Sequence, residues 1–114
     1  MSTDIWIGEK SFNYTHNCSA VWYDHIPDTG KGGGFREIAG MTGKQAFPIL
    51  SAAFDRLDQT RHGLWVSGAV GEPRMSARYD APNGWGSLIG ALIFMACIMA
   101  ACAENPRKKV GLSI

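Results

Sequence analysis

The sequence predicts an α+β fold: a small sheet from the terminal strands packed against two or three helices, the last strongly apolar. Three observations predict it. Short segments rich in β-branched and aromatic residues stand near both chain ends, at 4–9 and 108–114. A capping-box signature, Thr42-Gly43-Lys44-Gln45, opens a run whose apolar residues recur at helical spacing. No Asp, Glu, Lys or Arg occurs between Asp80 and Glu104.

Taken in order, residues 4–9 (DIWIGE) read as a strand and residues 12–17 as a polar–aromatic connector. Thr15 or Asn17 can cap a helix by accepting a free backbone N–H. That helix runs to about Ile26, with Cys18, Val21, Trp22 and Ile26 on one face, and Pro27 ends it. Residues 28–34 (DTGKGGG) are expected to form a flexible loop, because glycine has the most backbone entropy to lose. A phosphate-cradling P-loop is rejected: Gly40-Met41-Thr42-Gly43-Lys44-Gln45 has the wrong spacing, and Gln where a metal-binding hydroxyl belongs.

After the capping box, Ala46, Ile49, Leu50, Ala53, Phe54 and Leu57 form an apolar helical stripe, with Pro48 expected to loosen the first turns. Residues 63–71 (GLWVSGAVG) read equally as a strand, a hairpin arm or a buried loop, and Pro73 can start a helical turn through Arg78. The run from Leu88 to Ala103 follows a turn signal, Pro82-Asn83-Gly84, and stops at Asn105-Pro106. A helix apolar on every face must be covered on every face. The run falls short of the roughly 20 residues that span a bilayer, so it reads as a core helix, not a membrane span. Residues 108–114 alternate as a half-buried strand that pairs with residues 4–9. Residues 1–114 are expected to form a single domain, with no repeat or internal boundary.

Composition narrows the function. With 11 basic and 10 acidic residues the net charge is +1, which provides no general attraction to phosphate backbones, so direct nucleic-acid binding is not expected. Three cysteines, Cys18, Cys97 and Cys102, without a CxxC pair point to a reducing compartment. The start lacks a signal-peptide pattern, and a cytoplasmic location in the host cell is expected. His16, His25 and His62 show no metal-ligand spacing, and no paired carboxylates stand out. His16 lies two residues from Cys18, but a nucleophile–base pair is defined by geometry and not by adjacency. No catalytic residue, metal or cofactor is expected. The candidate ligand-binding residues are instead Asn13, Tyr14, Thr15, Asn17, Trp22, Asn83 and Trp85. Asn amides donate and accept at once, and Trp and Tyr faces stack on nucleobases. Lys31, Arg36, Arg74 and Arg78 are the cations placed to neutralise phosphate. The structural alternative is that the Asn residues cap helices and the Trp residues fill the core.

The motifs Asn13-Tyr14-Thr15-x-Asn17 and Asn83-Gly84-Trp85-Gly86, with Trp22, Gly90-Ala91-Leu92, Cys102 and Asn105-Pro106, resemble a family of small, mostly uncharacterised bacteriophage and prophage proteins. The resemblance covers nearly the whole chain and implies a phage-linked α+β domain, without a settled activity. Family members carry charges in the helix after NGWG, whereas here that helix has none; the glycine-rich loop and LWVSGAV stand as insertions. Gly86 and Gly90, and Ala96 and Ala100, are four apart and allow close helix approach, so homo-oligomerisation through this helix is expected. The function expected is capture of a nucleotide-like small molecule, such as a host immune signal, without chemistry. The alternative is an anti-CRISPR-like inhibitor that binds a host defence protein. An enzyme acting on a nucleotide would need an activated nucleophile or a metal, and the sequence shows neither.

Overall fold

The computed structural model describes residues 2–15, 20–66 and 87–114. Strand β1 (Ser2–Ile7) turns back at once into β2 (Lys10–Thr15). The two-residue loop is Gly8-Glu9, with Gly8 at φ +58°, a conformation that glycine adopts without a Cβ penalty. Residues 12–15, read from sequence as connector, are therefore strand. The correction has a simple cause: a glycine-led two-residue turn dictates the register of the returning strand, and Phe12 and Tyr14 alternate with Ser11 and Asn13 as a half-buried strand requires.

The chain end returns as β3 (Val110–Ser113), antiparallel to β1, giving a three-stranded sheet in the order β2-β1-β3. The expected pairing of the two terminal segments is present. Thr3, Ile5 and Ile7 turn inward and are buried, while Asp4 and Trp6 face out. The flank of β3 is occupied by the segment before the second helix: Gly40 N–H donates to Val110 O and Val110 N–H to Met41 O, both at 2.8 Å.

Among the described residues three helices complete the α+β architecture: α1 (Ala20–His25), α2 (Gly43–Val66) and α3 (Leu88–Glu104), with a 3₁₀ turn at Gly34–Glu37 between the first two. Helix α1 buries Val21, Trp22 and His25, and Ile26 behind it is fully buried before Pro27. The capping box forms as expected: Thr42 N–H donates to Gln45 Oε1 at 3.1 Å and Gln45 N–H to Thr42 Oγ1 at 3.3 Å. The next two donors are also used, Gly43 N–H on Lys108 O at 2.9 Å and Lys44 N–H on Pro106 O at 3.1 Å. Every orphan donor of the first turn is thus satisfied. With that turn secured, Pro48 forfeits one main-chain bond but does not interrupt α2, which continues through residues 63–66. Ala46, Leu50, Ala53 and Leu57 of the expected stripe are fully buried, with Ile49 and Phe54 packed beside them.

Helix α3 is capped by Ser87, whose Oγ accepts from Gly90 N–H at 2.9 Å, and closed by Asn105, whose N–H reaches Ala101 O and Cys102 O. It packs on α2 and on the inner face of the sheet, burying Leu88, Ala91, Phe94, Met95, Ile98 and Cys102. The remaining face is not covered by the described residues: Ile89 and Ile93 are 43% and 61% exposed, and Ala96, Ala100 and Ala103 continue the same stripe. No helix among the described residues is long and apolar enough to cross a membrane.

Candidate functional site

The residues expected to form a site fall into three groups. Asn13 is exposed on β2, and its amide donates to Asp4 Oδ1 across the strand pair at 2.6 Å. Tyr14 and Trp22 belong to an aromatic cluster in the core. The Tyr14 ring lies 5.0 Å from Phe94, and Trp22 lies 4.6 Å from Phe35. Trp22 is only 2% exposed and offers no open face to a ligand, and its Nε1 is buried without a hydrogen-bond partner. Thr15 ends β2. Asn17, Asn83 and Trp85, together with Arg74 and Arg78, lie outside the described residues.

Tyr14 nevertheless reaches the start of α3. The Tyr14 hydroxyl accepts from Ser87 N–H and donates to Ser87 O, both at 3.0 Å, and Ser87 directly follows Asn83-Gly84-Trp85-Gly86. Gly90 makes room for this clasp, since a Cβ there would fall 2.7 Å from the Tyr14 hydroxyl. This clasp pins the start of α3 to the edge of the sheet.

The glycine-rich loop is likewise engaged, and it corrects the expectation of a flexible segment. Asp28 Oδ1 accepts from Gly30 N–H at 2.7 Å and Gly32 N–H at 3.1 Å. Buried Glu37 accepts from Thr29 N–H and Gly33 N–H, both at 2.9 Å, and from the Thr29 hydroxyl. The Thr29 hydroxyl holds the Glu37 carboxyl below the usual carboxylate range, aided by these N–H groups and opposed by burial. Two carboxylates of the chain therefore occupy the loop donors that a phosphate would need. Lys31 and Arg36 also serve the loop: Lys31 Nζ donates to Glu37 O at 3.5 Å, and Arg36 donates to the Tyr23 hydroxyl.

Among the described residues an open concavity lies along the face of α2 that carries Pro48, Ile49, Ala52, Arg56, Gln59 and Thr60. A cleft of about 290 Å³ runs between Pro27 and Thr29 on one side and Pro48, Ile49 and Ala52 on the other, with Glu37 and Arg56 at its rim. A shallower basin of about 580 Å³ adjoins it, lined by Asp24, His25, Gln59, Thr60 and again Arg56. Arg56 stands where the two join. Its guanidinium is aimed by a fork on the His25 carbonyl, Nε at 3.0 Å and Nη2 at 2.7 Å. His25 is fixed in turn. Its Nδ1 lies 2.7 Å from Val21 O, and a carbonyl only accepts, so Nδ1 carries the proton. Its Nε2 lies 2.9 Å from Thr60 Oγ1. Arg56 forms no ion pair with the described residues, whereas Arg61 pairs with Asp58 at 2.9 Å. An oriented cation with Nη1 donors to spare, between an apolar cleft and a polar basin, can hold the anionic end of a small amphipathic ligand.

Sequence reasoning did not single out this arrangement; Arg56 and Gln59 are exposed on α2. Their spacing on α2 carried the only available signal; what makes them a site is the approach of α1 and of the loop after it. For chemistry the described residues offer little: no group of three or more His, Cys, Asp or Glu can hold a metal ion, and burial pushes the Cys102 thiol up, away from the thiolate. Compared with known proteins, the chain matches no family model, no curated protein and no solved structure.

Proposed function

We propose that this chain is a small binding protein that captures an anionic, nucleotide-like small molecule without transforming it, with the ligand's phosphate on Arg56. The observation that carries the reading is the Arg56 guanidinium, forked on the His25 carbonyl at the junction of an apolar cleft and a polar basin. The cleft, walled by Pro27, Pro48, Ile49 and Ala52, suits a planar or aliphatic body; Gln59 and Thr60 offer polar contacts beyond the cation. The phage setting, a host immune signal as ligand and action in the host cytoplasm rest on the NYTxN and NGWG resemblance alone. Thermal unfolding against a panel of mono-, di- and cyclic nucleotides tests the reading. A ligand at about 100 times its Kd raises stability by about 2.7 kcal/mol. That gain should vanish in Arg56→Ala; a flat response to the whole panel rejects the proposal.

The same reading includes self-association. The uncovered α3 stripe Ile89, Ile93, Ala96, Ala100, Ala103 alternates spacings of four and three and carries no charge, so a second copy presents the surface that matches it. The same apolar stripe also favours the second reading, an anti-CRISPR-like inhibitor docked on a host defence protein. Native mass spectrometry separates them: a dimer covers the stripe with its own kind, and a monomer leaves it to a foreign partner.

A further inference from the structure

The net charge of +1 conceals a cationic end of the molecule. Arg107, Lys108 and Lys109 are consecutive in the turn that feeds β3, and all three are exposed. Lys44 is tied to the same turn through its N–H on Pro106 O at 3.1 Å, and Lys10 opens β2 directly opposite Ile7, the partner of Val110, on the side of the sheet away from Trp6. Together these are five of the 11 basic residues, with Glu9 and Glu104 the nearest acidic neighbours in sequence of Lys10 and of the turn, and none is ion-paired among the described residues. The turn itself is fixed, by Lys108 O accepting from Gly43 N–H at 2.9 Å and by the bridge between Thr42 and Lys109.

Beside these cations stands an aromatic surface. Trp6, in the central strand, points to the outer face of the sheet and is 42% exposed. Its cross-strand neighbours are Ser11 and Gly111. A Cβ on Gly111 would lie 2.1 Å from the indole Cε2 and Nε1, so the ring lies across the backbone of β3, filling the space that glycine leaves. Alternation from buried Val110 puts Lys109 on this same outer face, diagonal to Trp6, with Asn13 and Ser11 on the other side.

We propose that this face binds single-stranded nucleic acid, an unpaired base stacking on Trp6 while Arg107, Lys108 and Lys109 of the exposed turn take the flanking phosphates. Stacking on an indole is indifferent to base identity but demands an unpaired base, because a duplex hides its base faces. Acidic protein surfaces would use the cations and have no need of the flat ring. The site shares no residue with the Arg56 groove, so either proposal can fail without the other.

The test is fluorescence anisotropy of a labelled oligothymidylate of about 12 nucleotides, its duplex, and polyglutamate as a control polyanion. The single strand should bind more tightly than the duplex. With three phosphates engaged, affinity should fall about 20-fold between about 50 and 200 mM salt. Trp6→Ala should weaken binding roughly 5- to 150-fold and Trp6→Phe should largely restore it, while Lys108→Gln with Lys109→Gln should flatten the salt dependence. If Trp6→Ala fails to fold, the Phe and Gln variants still decide. Absence of binding at a protein concentration on the order of 100 µM overturns the proposal. So does polyglutamate or duplex binding as tight as that of the single strand.

Discussion

At the scale of single residues, stability depends on a few atoms that have no slack. Gly43 lies where α2 begins against the end of α3, and a Cβ there would fall 2.4 Å from Asn105 O and 2.5 Å from Cys102 O. Alanine normally favours a helix over glycine by about 1 kcal/mol, but these contacts are with backbone and cannot swing away. Gly43→Ala should therefore destabilise by about 1–3 kcal/mol in chemical denaturation, against the propensity trend. Tyr14→Phe keeps the ring against Phe94 and removes both bonds to Ser87, a loss of about 1–3 kcal/mol in the same measurement. Glu37 produces a pH dependence whose sign is set by its bonds. The folded state lowers its pKa, so the contribution to stability is fully present above the unfolded value of about 4.3 and is lost as pH falls through the folded value. A protonated carboxyl cannot accept from Thr29 and Gly33 as the carboxylate does. Denaturation across acidic pH should show stability falling in the native chain. Glu37→Gln should begin lower at neutral pH and change less.

At the scale of elements, α3 carries two surfaces with opposite demands. Ile98 is fully buried and Ile93 is 61% exposed, only five positions earlier on the same helix. Ile93→Arg should leave the fold within about 0.5 kcal/mol while abolishing the proposed dimer, as read by native mass spectrometry and circular dichroism. Ile98→Arg should unfold the chain by burying an unpaired charge. A folded native chain that is already monomeric contradicts the dimer. The elements also differ in how far the sequence disclosed them. Capping-box residues Thr42 and Gln45, the stripe from Ala46 to Leu57, and the ends of α3 at Ser87 and Asn105 are encoded by local chemistry and stand where that chemistry puts them. Strand β2 was harder to read because its register descends from the Gly8 turn. The glycine-rich loop was harder still: its order comes from Glu37, beyond its own end, and no count of glycines reveals that.

For the whole molecule, both proposed binding surfaces arise from long-range assembly. The outer sheet platform needs β3, from the chain end, laid beside β1 so that Gly111 meets Trp6. The groove needs α1, the loop after it and α2 to converge on Arg56, which is why a reading of motifs directed attention to Tyr14 and Trp22, residues that hold the core together. That convergence makes a sharper prediction than loss of charge. Arg56→Lys keeps a cation on α2 but replaces a planar fork by a single ammonium. It cannot grip His25 O with two donors and also present donors to the ligand. If the groove depends on an aimed guanidinium, Arg56→Lys should lose most of the ligand-induced thermal stabilisation while denaturing within about 1 kcal/mol of the native chain. If lysine preserves that stabilisation, the ligand senses charge alone, and the orientation imposed by His25 and Thr60 has no part in binding it.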